Sequence, residues 1–394
     1  MQIFRKLLLA LDWKLADATP RCLMLDTSFI LGLRCCLKWN SKRDPLLSDL
    51  HPSLSNLDHV RRLINALRSE RFPAGTGFEG ALHLAEEQKS LPPEERHVRC
   101  VEVHPLPGNK QLDLVICMTP RMSEHLMLAK HLTIDTSFKH LHRWQKFEME
   151  SWDTVHTRLT CSAIVGARAF TTSQSADAHF ILFRRIFEIA AGDTGRPVMF
   201  HHMHGDGIQT VVADSHKGQG LGLGMFCVYL CQNSIKVCRY DPTCLLRELD
   251  PYDHLRRFFR LCVVHFKRNI LALGHSITKI RRCLIPLDVW KASPSTTNGN
   301  EQAHRNINRD GINLTLLAGI MRGFQYDEQA IAGMIMQDKY GITTRDQTST
   351  HAHWASQTIA RKVVCCPPTN KTYKQRCVPN VCCIGRSNVS DVWA

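Results

Sequence analysis

Three carboxylates stand where they could serve phosphoryl chemistry. Asp135 follows the apolar run Leu132-Thr133-Ile134, and Asp214 follows Thr210-Val211-Val212-Ala213. Glu301 opens a helical pattern behind the loop from Pro294 to Gly299. Three carboxylates drawn together repel one another and need cations. Two Mg²⁺ or Mn²⁺ ions roughly 3.5–4 Å apart would satisfy them. Such a pair activates water or a 3′-hydroxyl and stabilises the leaving oxygen of an in-line phosphodiester displacement. An all-oxygen donor set selects a hard divalent cation, not zinc. Each residue alone has a plainer reading. Aspartate is common as a helix cap or turn residue. Glu301, three positions after Asn298, fits a capping box equally well. Asp206, in His204-Gly205-Asp206-Gly207, is an alternative carboxylate, and Asp214 is preferred because it closes the apolar run. His202, His204, His216 and His304 lie near these positions, as phosphate contacts or as ordinary core and surface histidines.

Strand ends have to bring the carboxylates together. Residues 126–137 read as a buried strand delivering Asp135 at its end. Gln145 to Ser151 alternates Phe147, Met149 and Ser151 with charged residues, the pattern of a half-buried strand. A third strand is expected within Thr157 to Phe170. Ser173 to Ala191 carries Ala176, Phe180, Phe183, Ile186 and Phe187 at helical spacing, closed by Gly192 and Gly195. Gln209 to Asp214 reads as a further strand, and Gly218 to Gln232 as a helix with a glycine-rich start. The order strand, strand, strand, helix, strand, helix is not doubly wound, because there every strand is followed by a helix. It suggests an α/β fold with a mixed (α+β) sheet of the RNase H-like kind. In such a sheet the first and fourth strands lie side by side, which would bring Asp135 and Asp214 together. The expected organisation is an N-terminal accessory region over 1–124, the core over 125–342 with a helical, basic insertion at about 232–290, and a polar, cysteine-bearing tail over 343–394. Within the first region, residues 1–12 read as an amphipathic helix, and Val101 to His104 and Leu112 to Cys117 as strands.

The chain has 394 residues, 44% hydrophobic and 22% charged, which excludes a disordered or collagen-like polymer. No apolar run reaches the roughly 18 residues that cross a bilayer, so a membrane partner is not expected. The net charge of +14 favours polyanions. From His254 to Arg282 the chain holds Arg256, Arg257, Arg260, Lys267, Arg268, Lys279, Arg281 and Arg282 with no acidic residue. Arg256, Arg257, Arg260, Lys267 and Arg268, beside Phe258 and Phe259, suit a phosphate-contacting face; the alternative is a solvated helix face over a core. The 17 cysteines form no CxxC pair, and Cys117, Cys161, Cys227 and Cys231 sit in apolar segments. They read as reduced, buried small hydrophobes in a cytosolic or nuclear compartment.

With Asp135, Asp214, Cys262-Val263-Val264-His265 and Thr297-Asn298-Gly299-Asn300-Glu301, the chain resembles the catalytic core of Mutator-like (MULE) transposases. The stretches from Ala213 to Gly222 and from Pro294 to Arg305 look like transposase-derived proteins of mushroom-forming fungi. The resemblance covers roughly residues 125–330. It implies an RNase H-like DDE core that cuts and joins DNA with two divalent ions, Asp135, Asp214 and Glu301 being the metal ligands. Cys262 and His265 correspond to the family's C/H motif, which shapes the fold or helps hold DNA; from the residues alone, a packed core pair fits them equally. Arg256, Arg257, Arg260, Lys267, Arg268 and Arg305 are the expected DNA contacts. The implied partners are transposon ends and target DNA, with a homo-oligomer left open, and the implied place is the nucleus. Two other functions fit the same residues: a catalytically inactive DNA-binding remnant of a transposase, and an RNase H-like nuclease acting on RNA or hybrids.

Overall fold

The computed structural model describes residues 1–137, 141–152, 164–214, 216–263, 283–297 and 314–341. Its centre is a sheet of seven strands. Six are β1 (Val98–Leu106), β2 (Lys110–Cys117), β3 (His131–Ser137), β4 (Gln145–Trp152), β5 (Ile164–Thr171) and β6 (Thr210–Ala213). A separate hairpin, β7 (Val237–Cys238) and β8 (Asp241–Leu245), precedes the seventh, β9 (Phe259–Leu261). The order across the sheet is β1-β2-β5-β4-β3-β6-β9. Neighbours from β1 to β3 are antiparallel, whereas β6 lies parallel to both β3 and β9. The α/β class with a mixed sheet is as expected, and β3 runs two residues beyond Asp135.

Two assignments differ from the sequence reading. The β1–β2 hairpin is hydrogen-bonded to β5, with Leu114 opposite Thr171 and Cys117 opposite Arg168. Residues 98–117 therefore extend the central sheet. Inside the stretch expected to be a helical insertion, Phe259–Leu261 is a strand of that same sheet. Three residues are too few to carry a period, and their pairing with β6 is a long-range contact that local patterning does not report.

Among the described residues there are eight helices of eight or more residues. The first three, α1 (Gln2–Leu9), α2 (Thr27–Cys36) and α3 (Leu57–Arg71), close around their own core of Phe4, Leu8, Phe29, Leu33 and Ile64. Then come α4 (Phe78–Gln88), α5 (Pro120–Leu128), α6 (Ala176–Thr194), α7 (Lys217–Cys231) and α8 (Leu316–Tyr340). Helix α6 starts where the Ser175 hydroxyl accepts the Ala178 N–H and stops at Gly195, left-handed at φ 66°. Its buried stripe of Ala178, Leu182, Phe183, Ile186, Phe187 and Ala190 packs, with α5 and α7, on the sheet face formed by Ile134, Phe147, Met149, Ala167 and Ala213. The opposite face is covered by α4 and α8 through Ala81, Val115, Phe170, Leu316 and Ile320.

The glycines of α7 serve close packing. A Cβ on Gly222 would lie 2.5 Å from His179 Cβ and 2.7 Å from the Ala176 carbonyl oxygen, and one on Gly224 would lie 2.5 Å from the Pro251 carbonyl oxygen. This brings α7 against α6 on one side and the short Pro251–Leu255 helix on the other, so its first turn sits beside the end of β6.

Candidate functional site

Parallel pairing sets the level at which the candidate residues meet. Ile134 of β3 is opposite Ala213 of β6, which is opposite Leu261 of β9. One residue further along each chain stand Asp135, Asp214 and Cys262. Adjacent strands lie about 4.8 Å apart, so all three occupy one level at the C-terminal ends of neighbouring strands. Glu301, His265, Lys267, Arg268, Arg305 and His304 lie outside the described residues.

Asp135 is buried, and its Oδ1 accepts the Thr136 N–H at 2.7 Å. Asp214 is half-buried and accepts the Thr297 hydroxyl at 3.3 Å. Thr297, which is fully buried, directs its N–H to Cys262 Sγ at 3.5 Å, and the Cys262 N–H donates to the Ala213 carbonyl at 2.8 Å. Thr297 thus ties together the ends of β6 and β9. Cys262 is itself fully buried. On the other side, the His216 ring caps α7 by accepting the Gln219 N–H at 3.3 Å, and Gln219 Nε2 donates to the Thr136 hydroxyl at 2.6 Å. Burial lowers the His216 pKa. Lys217 is exposed in the first turn of α7. Among the described residues, no three His, Cys, Asp or Glu side chains are grouped closely enough to hold a metal ion.

The alternative carboxylate is misplaced for this site. Asp206 is exposed in a turn before β6, between Gly205 (φ 83°) and Gly207 (φ 85°), where it accepts the Gly207 N–H at 2.8 Å. It enters the strand that Asp214 leaves, so the length of β6 separates it from Asp135. His202 and His204 belong to that far end as well. His202 is a core residue, its Nε2 3.0 Å from His254 Nδ1 and its ring stacked on Phe258.

Two of the expected phosphate contacts, Arg257 and Arg260, are corrected. Arg257 and Arg260 are 3% and 6% exposed. Arg257 donates to the Asp253 carbonyl at 2.6 Å and to Cys238 Sγ at 3.1 Å. Arg260 donates to Trp290 O and Ser293 Oγ at 2.8 and 2.6 Å and lies over the Trp290 ring. These guanidiniums hold the protein together and turn no face to a phosphate. Arg256 pairs with Asp253 at 3.3 Å. Lys217, one turn before Gly220, is an exposed cation beside the site that the charge count passed over.

The charges of β4 are a further departure. Lys146, Glu148 and Glu150 are fully buried, so the strand is covered on both faces. Asp135 faces Glu148 across β3–β4, and Glu148 faces Arg168 across β4–β5. Arg168 bonds Glu148 and, from α8, Asp327 at 2.6 Å; Lys146 Nζ is 3.1 Å from Glu148. Burial pulls the Lys146 pKa down to about 8, against the pull of Glu148. Burial would also lower that of Arg168, but Asp327 and Glu148 more than offset it and hold the guanidinium charged. Comparison with protein-family models, with curated proteins and with solved structures returns no match.

Proposed function

We propose that the chain is a DDE-type DNA transposase, or a protein derived from one, with an RNase H-like core that cuts and joins DNA by two-metal chemistry. The observation that carries this reading is the placement of Asp135 and Asp214 at one level on neighbouring parallel strands. The order β5-β4-β3-β6-β9 supports it, because it gives the adjacency of first and fourth core strands that such a sheet requires. Asp135 and Asp214 offer carboxylate oxygens of the kind a hard divalent cation takes, and Glu301 would be the third ligand. Bound Mg²⁺ or Mn²⁺ would supply Lewis-acid activation of a nucleophile and a leaving oxygen.

The chain's own groups have separate tasks. Thr297 orients the Asp214 carboxylate through its hydroxyl, as partners of ligating carboxylates do. Gln219 ties the end of β3 to the first turn of α7 through Thr136, which keeps Asp135 and Lys217 on one rigid frame. Lys217 would neutralise a backbone phosphate at the rim. DNA ends and target DNA are the proposed partners, in the nucleus.

Mn²⁺-dependent cleavage of labelled DNA and of RNA–DNA hybrid, with wild type and Asp214→Ala, tests the reading. Wild type is expected to cut DNA, and the variant to lose at least about a hundredfold in rate. Equal activity in both removes the assigned site. Preferential cutting of the hybrid by wild type turns the reading to a nuclease, and DNA retention without cleavage to an inactive remnant.

A further inference from the structure

Helix α4, the turn Pro93–Glu95 and α8 enclose a groove of about 520 Å³. Its floor is apolar: Leu84 of α4, Leu91 (38% exposed) and, from α8, Met321 and Phe324. Its rim carries Glu87, Glu94, Glu95 and Glu328. Among the described residues none of these four carboxylates pairs with a lysine or arginine; Glu87 has His83 at 3.4 Å. The cations nearby are otherwise engaged. Lys89 pairs with Glu86 at 2.6 Å, and Arg96 donates to the backbone carbonyls of Leu91 and Lys89 at 2.9 Å each, which fixes the wall of the groove. A second, smaller cavity shares Leu84, Glu87 and Met321 and continues the groove toward Phe72 and Trp13. The groove thus joins an all-acidic rim to an apolar floor.

We propose that this groove is a docking site for a cationic amphipathic helix of a partner protein. Two roughly side-by-side helices with an apolar trough accept a third helix through anchors at i, i+3, i+4 and i+7. Lysines or arginines flanking those anchors would meet the four glutamates, so the rim selects a cationic partner. Met321 suits such a groove because its unbranched thioether adapts to an inserted apolar anchor, and Phe324 adds a flat apolar surface. This inference is independent of the DNA reading.

The test uses the full chain and a labelled model peptide of about 18 residues with leucines on one helical face and lysines on the other. Fluorescence anisotropy is expected to show saturable binding at moderate salt. The triple change Glu94→Gln, Glu95→Gln, Glu328→Gln should weaken it about tenfold, the sum of three exposed charge contacts. Leu91→Ser should weaken it as well, through the floor. The same charge change at Glu70, Glu124 and Glu248 should leave it unaltered. Equal affinity for wild type and the groove triple, equal loss in the remote triple, or equal binding of a leucine–glutamate peptide would overturn the proposal. A dimer in sedimentation that the groove triple dissociates would assign the groove to a second copy of the chain and overturn it too.

Discussion

Thr297 is the residue whose contacts say most about the candidate site. It is apolar enough in its methyl to be buried, and it spends both its polar groups on the strand ends, the hydroxyl on Asp214 and the N–H on Cys262. Cys262 is therefore a receptor for a backbone amide. Removing such an orienting partner typically costs about 10–100-fold in metal affinity or activity. Thr297→Val is expected to lose that much Mn²⁺-dependent cleavage while Thr297→Ser retains it, measured as rate against Mn²⁺ concentration; equal activity of the two variants would deny the hydroxyl its role. The layer behind Asp135 is a matter of stability. Arg168 neutralises Glu148 and Asp327 at a site with no water access. Arg168→Met leaves both carboxylates buried, with Lys146 beside Glu148 and His97 3.6 Å from Asp327, and is expected to cost about 3–5 kcal/mol in urea denaturation.

Elements meet here by close backbone approach. Helix α7 carries four glycines in its first eight residues, which local propensity alone would count against a helix by about 1 kcal/mol each. Tertiary contact reverses the balance, because Gly222 and Gly224 admit the neighbouring backbones. Gly222→Ala is expected to lower stability by about 1–3 kcal/mol through overpacking against His179 and Ala176. Gly192→Ala, in α6 with nothing within 4 Å of its added Cβ, should raise it by up to about 1 kcal/mol. A thermal melt of the two variants separates the effects, and a shift in the same direction for both would contradict the packing account.

The whole molecule should be sensitive to mild acid. His179 and His254 are essentially unexposed, and burial lowers each to about 4, with nearby Arg257 adding to the effect at His254. His202 is held well below its ordinary range by burial and by His254. The unfolded chain binds these protons near pH 6.5 and the folded one does not. Stability is therefore full above about pH 6.5 and falls as pH drops toward 4, by up to about 3 kcal/mol for each histidine shifted that far. The urea midpoint is expected to fall between pH 7 and 4.5; a midpoint unchanged to pH 5 would show that these imidazoles are not buried neutral.

The strands at Leu132–Ile134 and Thr210–Ala213, the helices starting near Ser175 and His216, and the two aspartates were legible locally, because apolar runs, caps and helical spacing are short-range signals. Thr297 was visible only as a loop residue beside a motif, and no local pattern could announce that its hydroxyl meets Asp214, 83 positions away. Arg257 and Arg260 read as surface charge because a basic run looks the same whether its guanidiniums meet solvent or, as here, Cys238, Trp290 and Ser293. By itself the sequence determined the periodicities, the elements they make and the carboxylates those elements carry. Only the tertiary structure decided which charges go inside. The alternation of Lys146, Glu148 and Glu150 with apolar residues is the pattern of a solvated face, and it becomes an interior layer because α8, more than 160 residues later, brings Asp327 onto Arg168 and excludes the water that would otherwise solvate them.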